Sequence, residues 1–132
     1  MKKGFDRIPA NVEAVATQVI DAALSVHRAL GPGLLESVYE TCLAHELTKR
    51  GLAFERQLTL PVVYDGIRHD AGLRIDMLVE ECVAVELKAA ERLLPLFEAQ
   101  LLTYLKLAEK RLGLLINFNS SLLKDGIKRL IL

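Results

Sequence analysis

The spacing of apolar residues first changes near Gly51, and that change restricts the fold more than any other feature. Before it, Val12, Val15, Ala16, Val19, Ile20, Ala23, Val26 and Leu30 recur at helical spacing, with Glu13, Gln18, Asp21, Ser25 and Arg28 between them. This pattern gathers the apolar side chains into one stripe of an amphipathic α-helix starting near Asn11. Gly31-Pro32-Gly33 stops that helix. A second periodic segment runs from about Leu34 to Arg50, with Leu35, Val38, Tyr39, Cys42, Leu43 and Leu47 inward, and Gly51 closes it. The chain is therefore expected to open with a helical hairpin.

After Gly51 the preference turns to strands. Phe54 to Tyr64 reads as one, with Pro61 marking an edge position or a bulge and Asp65-Gly66 supplying a tight turn. Leu73, Ile75, Met77 and Val79 alternate with Arg74, Asp76 and Leu78. Past the acidic turn Glu80-Glu81, Val83, Val85 and Leu87 alternate with Ala84, Glu86 and Lys88. Pro95 fits the first turn of a helix reaching from Leu96 to about Lys110, where its missing N–H removes no bond. Leu112 to Phe118 is almost wholly apolar, as in a strand covered on both faces, and Ile127 to Leu132 reads as a last short strand. The order α, α, β, β, β, α, β, β describes one α/β domain. With 132 residues and 52% hydrophobic content, the chain supplies one core, expected over residues 11–132 behind a flexible stretch 1–10.

Charge narrows the function classes. Seventeen Lys and Arg balance seventeen Asp and Glu, so no bulk basic field draws in nucleic acid or an anionic membrane. The polar, basic start carries no signal-peptide core and no long apolar span follows, so a soluble, unexported chain is expected, without a membrane partner. Cys42 and Cys82, the only cysteines, are too far apart for a CxxC site and read as small hydrophobes in a reducing cytoplasm.

Asp76, Glu86 and Lys88 are harder to explain by folding alone, because each interrupts an apolar strand where a charge is costly unless paired or bound to a cation. Glu86 and Lys88, two apart, share a strand face, and pairing across Glu80-Glu81 would bring Asp76 to it. Two carboxylates beside an ammonium suit Mg²⁺ or Mn²⁺, which bind through few protein oxygens and keep water and phosphate as remaining ligands. A solvent-facing cross-strand ion pair explains the same residues equally well.

Further residues extend the pattern. Gly33-Leu34-Leu35-Glu36-Ser37-Val38-Tyr39 is a GxxExxY sequence, Asp76…Glu86-x-Lys88 is a D…ExK sequence, and Gln100 to Tyr104 is a QxxxY sequence. With these in this order, the chain from about Val19 to Ile131 resembles the small bacterial GxxExxY proteins. They are a branch of the PD-(D/E)XK nuclease superfamily that shares QxxxY with the RecB-type exonucleases. The resemblance implies a restriction-endonuclease-like α/β core, a mixed central sheet flanked by helices, with the helical hairpin at its N-terminus.

By the same resemblance, Asp76 and Glu86 are direct ligands of Mg²⁺ or Mn²⁺, joined by Glu36 and the Leu87 carbonyl. Lys88 orients or deprotonates the attacking water, or stabilises the phosphate charge. Arg74, two before Asp76, grips phosphate or neutralises the acidic site. Gln100 and Tyr104, four apart on one helix face, offer hydrogen bonds to phosphate or to Lys88; they also fit a polar stripe bordering the core. Tyr39 fits a packed core tyrosine with a satisfied hydroxyl, and His27 a core or edge histidine. Lys106, Lys110, Arg111, Lys124, Lys128 and Arg129 form either a basic rim or ordinary solvated faces. The expected activity is metal-dependent hydrolysis of phosphodiester bonds in DNA, or in RNA. The alternative is a non-catalytic nuclease-fold domain that binds nucleic acid or a protein, as a homodimer or with an accessory subunit.

Overall fold

The computed structural model describes residues 7–132. The expected flexible stretch lies outside the described residues as far as position 6; from Arg7 the chain is tied in. Ile8 packs on the core, the Arg7 carbonyl accepts from Arg111 at 2.7 Å, and α1 (Ala10–Leu30) begins immediately.

Helices α1 and α2 (Glu36–Lys49) pack together on one face of a five-stranded sheet. The strands are β1 (Phe54–Tyr64), β2 (Ile67–Val79), β3 (Val83–Lys88), β4 (Leu112–Asn117) and β5 (Ile127–Ile131), neighbours in chain order. All adjacent pairs are antiparallel except β3 with β4, whose parallel pairing needs the crossover through α3 (Pro95–Ala108) on the opposite face. The expected mixed sheet flanked by helices is thus present, with the helical hairpin in front.

The sheet separates two apolar layers. Ala16, Val19, Ala23, Tyr39, Leu43 and Leu47 meet Met77, Val79, Val85, Leu87 and Leu114 on the hairpin side. Leu101 and Leu105 of α3 meet Ile75, Leu78, Ala84 and Leu115 on the other. Strands β3 and β4 are covered from both sides, which explains the unbroken apolar run in β4. At Gly113 a side chain would press against Leu101, so glycine lets α3 settle close to the sheet.

Three expectations need correction. On α2, Leu35 and Val38 do not point inward: they are 74% and 38% exposed. Leu35 is extended and precedes the helix, and the buried face is Tyr39, Glu40, Leu43, Ala44 and Leu47, turned toward the charged Glu40. Leu30, at the last residue of α1, is likewise exposed. Strand β2 begins at Ile67, not Leu73, because the Asp65-Gly66 turn, with both φ positive, folds β2 back along the whole of β1. The expected bulge near Pro61 is present, as the register shifts between Leu60 and Val62.

The alternation expected through Leu73, Ile75, Met77 and Val79 also breaks. Met77 and Val79 lie in the hairpin-side layer, whereas Ile75 lies in the α3-side layer. Strand β1 does the same: Phe54 packs on the hairpin side, Leu58 and Leu60 on the α3 side. Both strands turn over between these residues, at Gln57, where φ is 53°, and at Asp76 opposite it.

Tyr39 is fully buried, stacked on Phe118 at 4.5 Å. Its hydroxyl donates to the Gly31 carbonyl at 2.5 Å and accepts the Leu34 N–H at 3.1 Å, which ties down the Gly-Pro-Gly turn. His27 is an edge histidine, its Nε2 2.8 Å from the Ser120 carbonyl oxygen.

Candidate active site

From the Glu80-Glu81 turn, β2 and β3 leave as a regular pair: Val79 opposite Val83, Leu78 opposite Ala84, Met77 opposite Val85. One step further the ladder is replaced by side chains. The Asp76 N–H donates to Oε1 of Glu86 at 2.9 Å, and the Leu87 N–H donates to Oδ2 of Asp76 at 2.8 Å. The strands fork here, and both carboxylates sit in the fork, each receiving one backbone N–H. Strand β3 stays paired to β4 through Lys88 opposite Asn117, so the far side of the fork is fixed.

Burial disfavours the charge on these acids. It is the largest cause pushing Glu86 up to about 8, followed by the negative charge of Asp76; the Asp76 N–H and Lys88 oppose it. Asp76 is also raised, chiefly by burial, against the lowering effect of the Leu87 N–H. Two close carboxylates with raised pKa values bind either a proton or a cation, and their hard oxygens fit a divalent ion that takes few protein ligands.

Lys88 lies with its Nζ 4.4 Å from the centre of the Phe97 ring, and among the described residues no ion pair ties it to a carboxylate. Its charge nevertheless lowers the pKa of Glu36, Asp76 and Glu86. Glu36, at the start of α2, is exposed but still raised by partial burial, with Asp76 and Glu40 adding to the effect. Glu36 is in electrostatic range of the fork, with no hydrogen bond into it among the described residues. Among the described residues, no three His, Cys, Asp or Glu side chains converge as one metal cage.

On α3, Tyr104 is half-buried and its pKa is raised first by burial, then by Glu86 and Asp76, while Arg74 lowers it. It is therefore in electrostatic range of the fork. Arg74 is exposed on β2 opposite Thr59, near enough to act on Tyr104. Gln100 is exposed, with no hydrogen bond to the fork among the described residues. The basic rim is partly spent on other partners: Lys128 pairs with Glu98 at 3.2 Å and Arg129 with Glu13 at 2.5 Å. Cys42 and Cys82 are free and half-buried.

Four residues at the site escaped the sequence reading. Glu40 is 9% exposed and ion-paired to Arg56 at 2.9 Å. Gln57 donates to Glu40 at 2.6 Å and lies 3.4 Å from Asp76. The Asn117 side chain holds both backbone groups of Ala90, at 3.0 and 2.9 Å, and so anchors the loop after Lys88. Phe97 lies beneath Lys88. Only Glu40 left a usable signal: it stands four after Glu36, on the same helix face.

Residues 13–130 match the family model described as the PD-(D/E)XK nuclease superfamily. No curated protein and no solved structure matches the chain.

Proposed function

The chain belongs to the PD-(D/E)XK nuclease superfamily, and from that premise we propose that it is a divalent-metal-dependent nuclease of the GxxExxY type that hydrolyses phosphodiester bonds in DNA. The observation that carries this reading is the fork itself. Asp76 and Glu86 replace a rung of the β2–β3 ladder with one half-buried and one buried carboxylate, next to a lysine without an ion pair among the described residues. Such an arrangement weakens the sheet unless a ligand uses it.

Asp76 and Glu86 would hold Mg²⁺ or Mn²⁺, with the Leu87 carbonyl and Glu36 as further donors. The ion, when bound, supplies an acidified water and offsets charge on the attacked phosphate. Lys88 offers donors to that water or to a phosphate oxygen. Arg74 offers the phosphate a planar pair of donors, and Tyr104 with Gln100 adds hydrogen bonds from the α3 side. The proposed setting is the bacterial cytoplasm; among the described residues no helix is long and apolar enough to cross a membrane.

The test is incubation of purified protein with labelled single- and double-stranded DNA, and with RNA, in Mg²⁺ or Mn²⁺. Metal-dependent cleavage is expected, falling by about 10²–10⁴-fold in Asp76→Asn and Lys88→Ala. Turnover unchanged in these variants would sink the reading. The even charge balance favours one second reading, a nuclease-fold domain that binds nucleic acid or a protein partner, as a homodimer or an accessory subunit. Binding without cleavage, and no metal-dependent rise in Tm, would select it.

A further inference from the structure

Successive residues of a strand point to opposite faces, yet Arg56 and Gln57 both reach the same carboxylate. Arg56 Nε donates to Oε2 of Glu40 at 2.9 Å, and Gln57 Nε2 donates to Oε1 at 2.6 Å. Left-handed backbone at Gln57 allows this, a conformation that non-glycine residues adopt only at a cost. At the same point β1 and β2 turn over, and Asp76 stands opposite. The Gln57 amide also lies 3.4 Å from Oδ1 of Asp76, whose Oδ2 is taken by the Leu87 N–H at 2.8 Å.

We propose that Gln57 is a positioning residue. Its amide, anchored on the buried Glu40 of α2, which also pairs with the exposed Arg56 of β1, fixes the rotation of the Asp76 carboxylate, so that the fork meets a divalent cation in a preset orientation. The left-handed backbone at Gln57 serves to bring that amide into place. Glu40 serves here as the anchor for the amide, with Arg56 on its other oxygen. The inference rests on the metal-dependent reading of the fork and adds to it how the helical hairpin controls the ligand.

Gln57→Gly separates the two roles, since glycine keeps the left-handed backbone without strain and removes only the amide. Mn²⁺ alone is titrated calorimetrically into the full chain, and melting is followed without metal. The expected result is Mn²⁺ affinity lowered by about 10–100-fold in Gln57→Gly, with the metal-free Tm held or raised. Gln57→Asn tolerates the same backbone and keeps a shorter amide. Its affinity is expected between the two, and it decides the question if the glycine variant does not fold. Mn²⁺ affinity within twofold of wild type in the folded variants overturns the positioning role alone. Failure of the wild-type chain to bind Mn²⁺ overturns the metal-dependent reading, and this inference with it.

Discussion

A buried carboxylate beside a second carboxylate keeps its proton to higher pH than one in water, and Glu86 has been moved from 4.5 to about 8 in this way. Because the folded state holds this proton more tightly than the unfolded chain, the stability it contributes is complete below about pH 4.5. That contribution is lost as pH rises to about 8. Asp76 and Glu36 shift in the same direction. Urea unfolding of the metal-free protein is therefore expected to show stability falling across this window. Glu86→Gln, which keeps an oxygen for the Asp76 N–H, should flatten the profile and stabilise the metal-free protein at pH 8 by about 1–3 kcal/mol. That range lies below the full linkage value because solvent reaches the open end of the fork. Added Mn²⁺ should reverse the trend, raising Tm more at pH 8 than at pH 6, since the cation competes with the proton. A wild-type profile that is flat without metal would contradict the account. At this scale Asp76, Glu86 and Lys88 stood out in the sequence as charges in apolar strands, and the structure brings Asp76 and Glu86 together where the ladder opens. It was silent on Gln57, whose importance lies in a backbone angle that no side-chain pattern encodes.

Periodicity reveals an element only where the element stays regular. It located α1, α3, β3 and β4 closely, because each keeps one repeat from end to end. It misjudged the buried face of α2, since Glu40 looks like a surface residue until its partners Arg56 and Gln57, from another element, are known. It also misjudged the β2 alternation, because the turnover at Asp76 resets the period-two pattern midway. The fold was thus legible wherever local pattern and tertiary packing agree, and the candidate site lies where they part. Helix α3 packs closely on the sheet at Gly113 of β4, against Leu101. Gly113→Val should cost about 1–3 kcal/mol in urea unfolding, because Leu101 must move while the sheet cannot. The same substitution should leave Mn²⁺ affinity within twofold, as neither residue borders the fork.

Across the whole molecule, charges are matched in number and several are already paired. Arg129 is used on Glu13, Lys128 on Glu98, Arg56 on Glu40 and Arg68 on Asp70. Near the fork itself, the cations available to a phosphate backbone are Arg74 and Lys88. A plot of log affinity against log salt for duplex DNA should therefore be shallow, about −3 or less steep, as for three or fewer neutralised phosphates. A steep slope would place an additional basic surface in the complex. The strand order has a different kind of consequence. Each strand pairs with its neighbours in sequence, so three of the four pairings close as hairpins or short connections, and only β3 with β4 must wait for α3 to cross over. Chain entropy favours early formation of the short loops. Asp76 and Glu86, joined across one tight turn, should come together ahead of that crossover, so a refolding chain carries its acidic fork before the sheet is complete.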